Sequence, residues 1–404
     1  MASQQRSHSS TAPPQSKNTV TVRMIDTTAV MKLRAEGFLD PVMPGHEFMS
    51  VIDVAFLIEN PRLGRKAMFD LGVRKDYWNM PPAVAKRIET VIPGIRVEKD
   101  PIEVLAEKGV ALEEINDVIW SHSHWDHTGS TYAFPSSTTL SYGKRTGPRP
   151  GHPTNPESAL NEVDFEGRKC VEIDYEMQVG PFPAHDFYGD GSLYLLETPG
   201  HWPGHMCALA RTTADTFVLL GGDICHFAGD FRPSKGWPLP DNVPGGAFGR
   251  EAEKSKREAR YPMPCPSSFF TDHHPQKQNS SVSQSDLDTR KTPIYKLSTH
   301  AHSSYKDPPL ASDTLQKMRD YFDADPKVLV CLAHDPALLD HLPTFNDDPG
   351  KDINDWQANG IKEKCHWGFL KELPRYNADG SVAGPGMRDE HIVEGTWREG
   401  ERVK

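Results

Sequence analysis

The stretch Ser121-His122-Ser123-His124-Trp125-Asp126-His127-Thr128-Gly129 places three imidazoles and a carboxylate within six residues, directly behind the apolar run Val118-Ile119-Trp120. Neutral imidazole and carboxylate are ligands suited to zinc, with iron and manganese as alternatives. His122 and His124 alternate, so on an extended segment both rings leave the same face. Asp126 and His127 follow at a turn, where the backbone changes direction and aims them at a second point. Four such groups packed together are costly to bury unless something binds them. The chemistry on offer is metal-assisted hydrolysis, in which a bound ion brings the ionisation of water towards neutral pH.

More ligands of the same kind recur downstream, each just past a strand-like run. A strand over residues 191–197 is followed by Thr198-Pro199-Gly200-His201-Trp202-Pro203-Gly204-His205, which offers two histidines. A strand over 216–220 ends in Gly221-Gly222-Asp223-Ile224-Cys225-His226, and one over 327–332 ends in Ala333-His334-Asp335-Pro336. Ligands at strand ends are how a rigid sheet delivers a site to its edge. Further strands are predicted over 19–25, 51–58, 66–71, 117–120, 138–142, 170–173 and 206–210 by their apolar runs or alternation. Helices are predicted over 101–108 and 312–322, with helical patterns at 112–115 and 352–372. Residues 143–156 and 227–310 are rich in Pro, Gly, Ser and charge, with one helix-compatible piece at 247–259. A stretch as long as the second is expected to be a functional lid or unstructured.

Composition narrows the class. A chain of 404 residues buries a large core, and the alternation of strands and helices without an internal repeat favours one catalytic domain over 19–404 with an insertion at about 227–310. Residues 1–18, rich in Ser, Gln and Pro, are expected to be a disordered tail. No run approaches the ~18–20 apolar residues of a membrane span, and no signal-peptide pattern opens the sequence. Six scattered cysteines without a CxxC pair favour reduced thiols and a cytoplasmic location. A net charge of −11 with no Lys/Arg stripe argues against nucleic acid as the partner. The expected partner is a small-molecule substrate, with a homodimer as one option for assembly.

The motif His122-x-His124-x-Asp126-His127, followed in order by His201, Asp223 and His334, resembles the signature of the metallo-β-lactamase fold superfamily. That resemblance implies an α/β fold, an αββα sandwich of two mixed sheets flanked by helices. It implies two zinc ions, with iron or manganese as alternatives. His122, His124 and His201 would hold one ion, Asp126, His127 and His334 the other, and Asp223 would bridge them. The family's ligand in the Pro-Gly-His motif is the first histidine, which leaves His205 to packing or hydrogen bonding. Asp70, in Phe69-Asp70-Leu71-Gly72, is a turn former on its own residues; by the resemblance it would support the ligands from behind.

Within the superfamily the sequence looks most like the acyl-homoserine-lactone lactonase branch, where a tyrosine three residues after the bridging aspartate helps the attacked carbonyl oxygen. Here that position is His226, whose N–H can donate to the same oxygen. Asp126 has a second expected duty, moving a proton to the leaving atom. The expected reaction is opening of a cyclic ester, which the resemblance favours, or of a cyclic amide of the γ-lactam type close behind it, in catabolism or detoxification. A glyoxalase II-like thioester hydrolase is the nearest alternative, ahead of a mono-iron sulfur dioxygenase and a non-catalytic metal-binding scaffold. His273, His274, His300 and His302 lie in the polar stretch without a preceding strand, and no third metal site is expected there. Trp202, Phe227, Trp237 and Phe248 are expected either to line the cleft or to pin the insertion down.

Overall fold

A computed structural model of the chain describes residues 12–146, 150–253, 260–278, 288–387 and 391–404. A nine-stranded and a six-stranded sheet lie face to face. The first runs, in spatial order, Glu401–Arg402, Gly395–Arg398, Gly94–Arg96, Thr21–Arg34, Phe48–Asn60, Arg65–Phe69, Asp117–Ile119, Thr139–Tyr142 and Cys170–Glu172. The second runs Val328–Cys331, Phe217–Leu220, Met206–Arg211, Leu193–Glu197, Phe182–Asp186 and Met177–Val179. Both sheets are mixed: Arg65–Phe69, Asp117–Ile119 and Thr139–Tyr142 are parallel neighbours, as are Phe217–Leu220 and Val328–Cys331, whereas Thr21–Arg34 and Phe48–Asn60 pair antiparallel.

The layering follows from side-chain alternation along these strands. Val54, Phe56, Phe69 and Ile119 point between the sheets and meet Leu195, Ala208, Val218, Leu220 and Leu329. Their sequence neighbours Ala55, Leu57, Met68 and Val118 point outward and are covered by Val104 and Leu105 of the helix Pro101–Glu107. On the far side Leu196, Leu209, Leu219 and Val330 pack under Leu315 and Met318 of the helix Pro308–Met318. Helix, sheet, sheet and helix make the αββα sandwich of the metallo-β-lactamase fold.

The elements depart from the sequence expectations where local chemistry intervenes. The strand expected over 19–25 continues to Arg34, because a bulge between Asp26 and Val30 absorbs the polar Asp26-Thr27-Thr28. Thr28 takes φ +57° there, and its hydroxyl accepts from the backbone N–H of Lys99 at 2.7 Å. The helix expected over 312–322 begins at Pro308, because Asp307 caps the N–H of Leu310 and prolines fill the first turn. The helical pattern of 352–372 condenses to Ile361–His366 and the 3₁₀ turn Gly368–Glu372. Helix Pro82–Val91 and the hairpin of Met177–Val179 with Phe182–Asp186 were not anticipated.

Two stretches expected to be irregular carry specific contacts. Of the tail, residues 1–11 lie outside the described residues; in the remainder Pro14 O accepts from Arg211 at 2.6 Å and Ser16 Oγ donates to Asp190 O at 2.7 Å. In the insertion, Phe231, Phe248, Phe270 and Tyr295 are buried in the core outside the second sheet, and Lys296–Leu297 pairs with Leu39–Asp40. The helix-compatible piece at 247–259 is 3₁₀ structure over Gly245–Glu253 broken at Gly249, with 254–259 outside the described residues. No described helix is long and apolar enough to cross a membrane. All six cysteines are free thiols.

Candidate metal centre

The site forms where the strands of both sheets end on the same edge. Asp117–Ile119 leads into His122 and His124, and the short helix Trp125–Thr128 carries Asp126 and His127. From the second sheet, Leu193–Glu197 leads to His201, Phe217–Leu220 to Asp223 and Val328–Cys331 to His334. The turn before Asp223 requires glycine: Gly222 has φ +50°, and a Cβ there would meet Ser121 Cβ at 2.9 Å and His205 Nε2 at 3.0 Å.

All seven predicted ligands come together in two adjoining groups, His122, His124, His201 and Asp223 on one side and Asp126, His127 and His334 on the other. His201 Nε2 lies 3.2 Å from His122 Nε2 and 3.0 Å from His124 Nδ1. The Asp223 carboxylate sits between the groups. Its Oδ2 is 3.5 Å from His122 Nε2 and 3.3 Å from His201 Nε2, and its Oδ1 is 3.1 Å from His127 Nε2 and 3.0 Å from His334 Nε2. Asp126 Oδ2 is 3.8 Å from His334 Nε2.

Groups behind the ligands fix which nitrogen faces inward. His127 Nδ1 donates to Asp70 Oδ2 at 2.8 Å, while Asp70 Oδ1 accepts from the Ser121 backbone N–H at 2.6 Å. Asp70 therefore supports the cluster from behind. His334 Nδ1 donates to the Ile52 carbonyl at 2.8 Å. In each case Nε2 is left to face the centre. His205 faces away: Nδ1 donates to the Thr198 carbonyl at 2.9 Å, and Nε2 accepts from the Asp223 backbone N–H at 3.0 Å. It holds the turn that presents Asp223.

The donor set fits a divalent cation. His127 Nε2, His334 Nε2 and Asp223 Oδ1 are buried without a hydrogen-bond partner, an arrangement that is costly unless a cation answers it. Burial, with the neighbouring imidazoles, pushes His122 and His124 well below the usual histidine range, which keeps their lone pairs free. Burial alone would lift the Asp223 carboxyl, but His127, His226 and His334 hold it well below the usual carboxylate range. Zinc prefers this mixture of neutral imidazole and carboxylate.

Around this core, His226 Nε2 lies 3.1 Å from Asp223 Oδ2, and its ring is held between Phe38 at 4.5 Å and a parallel His334 at 5.3 Å. Trp202 packs on His124 at 4.3 Å and donates to Ser123 Oγ at 3.0 Å. Of the aromatic residues expected at the cleft or as anchors, Trp202 borders the site, Phe227 and Phe248 are core residues, and Trp237 stacks on His366 at 4.2 Å. His274 donates through Nε2 to the Thr292 carbonyl at 3.1 Å, and His273 stacks on Tyr376. His300 and His302 are not among the described metal-holding groups.

Sequence reasoning missed two residues here. Asp53 sits inside the apolar strand Phe48–Asn60, accepts from the Val73 N–H at 3.0 Å, and is pushed up to about 8 by burial, an effect His334 and His127 partly offset. A charge in mid-strand among apolar residues was the available signal. Tyr305 reaches the site from the insertion, 3.2 Å from His226 Nδ1, and no motif announced it.

Residues 54–288 match the family model described as the Metallo-beta-lactamase superfamily. The chain is 37% identical over 373 residues to Gamma-lactamase FDB1 of Fusarium pseudograminearum, covering 89% of this chain and 84% of that one. It is 44% identical over 218 residues to Gamma-lactamase MBL2 of Gibberella moniliformis, covering 52% of this chain and 87% of that one. A solved N-acyl homoserine lactone hydrolase aligns over 82% of this chain and 98% of its own, with a TM-score of 0.48 and 16% identity. The matched residues include the histidine cluster, His201 and Asp223, and the chain belongs to the metallo-beta-lactamase superfamily of hydrolases.

Proposed function

We propose that this protein is a two-metal hydrolase that opens a cyclic amide or cyclic ester of a small molecule, with the γ-lactam arm favoured by the names of its relatives. The observation that carries the reading is the Asp223 carboxylate, with one oxygen turned to His122 and His201 and the other to His127 and His334. His122, His124 and His201 would hold one zinc, Asp126, His127 and His334 the second, and Asp223 would touch both. Ions bound there supply an ionised water near neutral pH and polarise the carbonyl under attack.

The chain's own residues do the rest. His226 would present an N–H to the oxygen on which charge develops, and being buried it counts for more there than in water. Asp126, partly open to solvent, accepts a proton and returns it to the departing ring nitrogen or oxygen. Trp202 and Phe38 present partly exposed aromatic surface beside His124 and His226 and would shield the cluster from water.

The test is turnover by the zinc-loaded protein of a γ-lactam, a γ-lactone and an acyl thioester. The ring substrates are expected to exceed the thioester by about a hundredfold in kcat/KM. A thioester preference of that size would instead support a glyoxalase II-like activity.

A further inference from the structure

The position that a tyrosine occupies in the resembled lactonases is His226 here, and a tyrosine nevertheless stands beside it. Tyr305 comes from the far end of the insertion, and its hydroxyl lies 3.2 Å from His226 Nδ1. We propose that Tyr305 is a positioning residue that donates its phenolic proton to His226 Nδ1 and so locks the tautomer whose Nε2–H faces the reacting centre. This inference rests on the hydrolase reading above and names a residue that reading does not need.

His127 and His334 spend their hydrogen on Nδ1, towards Asp70 and the Ile52 carbonyl, but His226 Nδ1 faces a hydroxyl that can donate, so its Nε2 is free to carry the hydrogen towards Asp223 Oδ2, 3.1 Å away. In a neutral imidazole the other nitrogen is then an acceptor and needs a donor. The Tyr305 hydroxyl is in place to be one. A phenol is protonated at neutral pH, so it has the proton to donate.

The placement is built, not incidental. Tyr305 is 2% exposed, and its backbone is pinned on both sides: Ser304 N donates to Gly37 O at 2.8 Å, Lys306 N to His201 O at 2.8 Å and Asp307 N to Gly200 O at 2.9 Å. The same segment therefore grips the turn that presents His201. The His226 ring, confined between Phe38 and His334, has little freedom to turn over. What remains to be decided is which nitrogen bears the hydrogen, and Tyr305 decides it.

A competing arrangement shares the distances. His226 also forms a possible metal-holding group with Asp223 and His334. If Nε2 bound an ion it would carry no hydrogen, Nδ1 would donate, and Tyr305 would accept. The two arrangements assign opposite tautomers to one ring.

The experiment uses Tyr305→Phe, which keeps the packing and removes only the hydroxyl, alongside His226→Gln and the double variant. In the wild type, 15N NMR of the histidine-labelled zinc protein should place His226 Nδ1 among acceptor nitrogens, with the resonance assigned by its loss in His226→Gln. In Tyr305→Phe that signal should move towards the donor range while metal content stays at the wild-type level. On a lactam or lactone that the wild type opens, kcat should fall about tenfold with KM within about twofold, as expected for a group felt in the transition state. The double variant should be no slower than His226→Gln alone, because Tyr305 acts through that ring. A donor Nδ1 in the wild type, or a Tyr305→Phe enzyme with unchanged tautomer and kcat, would overturn the proposal. Failure of the wild type to open any ring would count against the hydrolase reading, and the nitrogen signals would still decide the tautomer.

Discussion

Two buried polar clusters in this protein obey opposite rules. In one, Arg232 donates to Asp323 at 2.6 Å, and Lys362 donates to the carbonyls of Asp323, Asp325 and Val328 at 2.8, 2.5 and 2.6 Å. Cations there meet anions or carbonyl dipoles, so the charges of Arg232, Asp323 and Lys362 are answered by protein atoms. In the other, acceptor faces acceptor: imidazole nitrogens of His122, His124 and His201 converge to within about 3 Å, and Asp223 Oδ1, His127 Nε2 and His334 Nε2 have no donor. The first cluster holds the fold together, and the second waits for positive charge. The difference separates a structural knot from a binding centre without reference to any motif.

The sharpest break in that comparison is Asp223→Ala. Removing the carboxylate that faces both groups should lower kcat/KM by about a thousandfold or more and take metal content below that of the wild type, read by elemental analysis. Full metal content in that variant would show that Asp223 is not the link between the two groups. Next in size, Arg232→Met leaves Asp323 buried without its partner and should cost about 3–5 kcal/mol in urea unfolding, with metal retained by the folded fraction. Metal loss from a still-folded Arg232→Met protein would mean the two clusters are not separate.

The knot also sets an acid limit. Burial alone would raise the Asp323 carboxyl, but Arg232, His366 and Lys362 hold it down to about 2 from its usual 3.8. The unfolded chain therefore takes up that proton first as pH falls, and the stability from the pair is present above about pH 4 and drains away towards about pH 2. Melting temperatures across that range should fall less steeply in Arg232→Met. The smallest effect belongs to His205→Ala, which leaves the Asp223 backbone N–H unanswered. It should cost about 1–3 kcal/mol with metal content unchanged, and losing metal would make His205 part of the binding set.

The same contrast explains what was legible in the sequence. The convergence of these side chains could be read because imidazoles and carboxylates are chemically marked and follow apolar strands, as at Val118-Ile119 before His122 and Leu329-Val330 before His334. Asp323 and Arg232 could not be paired from sequence, because nothing local distinguishes them from surface charges. The insertion misled for a related reason. Its aromatics Phe231, Phe248, Phe270 and Tyr295 are spaced without a helical or strand period, yet tertiary packing buries all of them. The strand Gly395–Arg398, second from the sheet edge, was hidden by its polar surroundings, and Tyr305 by its distance along the chain from His226.

Asp223 and His334 leave neighbouring parallel strands, Phe217–Leu220 and Val328–Cys331, although the whole insertion and the helix Pro308–Met318 lie between them in the chain. A ribosome that has just added Asp223 has built six of the seven predicted ligands, yet the cage still lacks a wall. Closing so long a loop is among the slower acts of folding, and it cannot be rewarded until the last strand docks. Capture of the ion that His334 would help hold is therefore a late event, and that half of the centre, once loaded, would act as a seal that only a fully threaded chain can set.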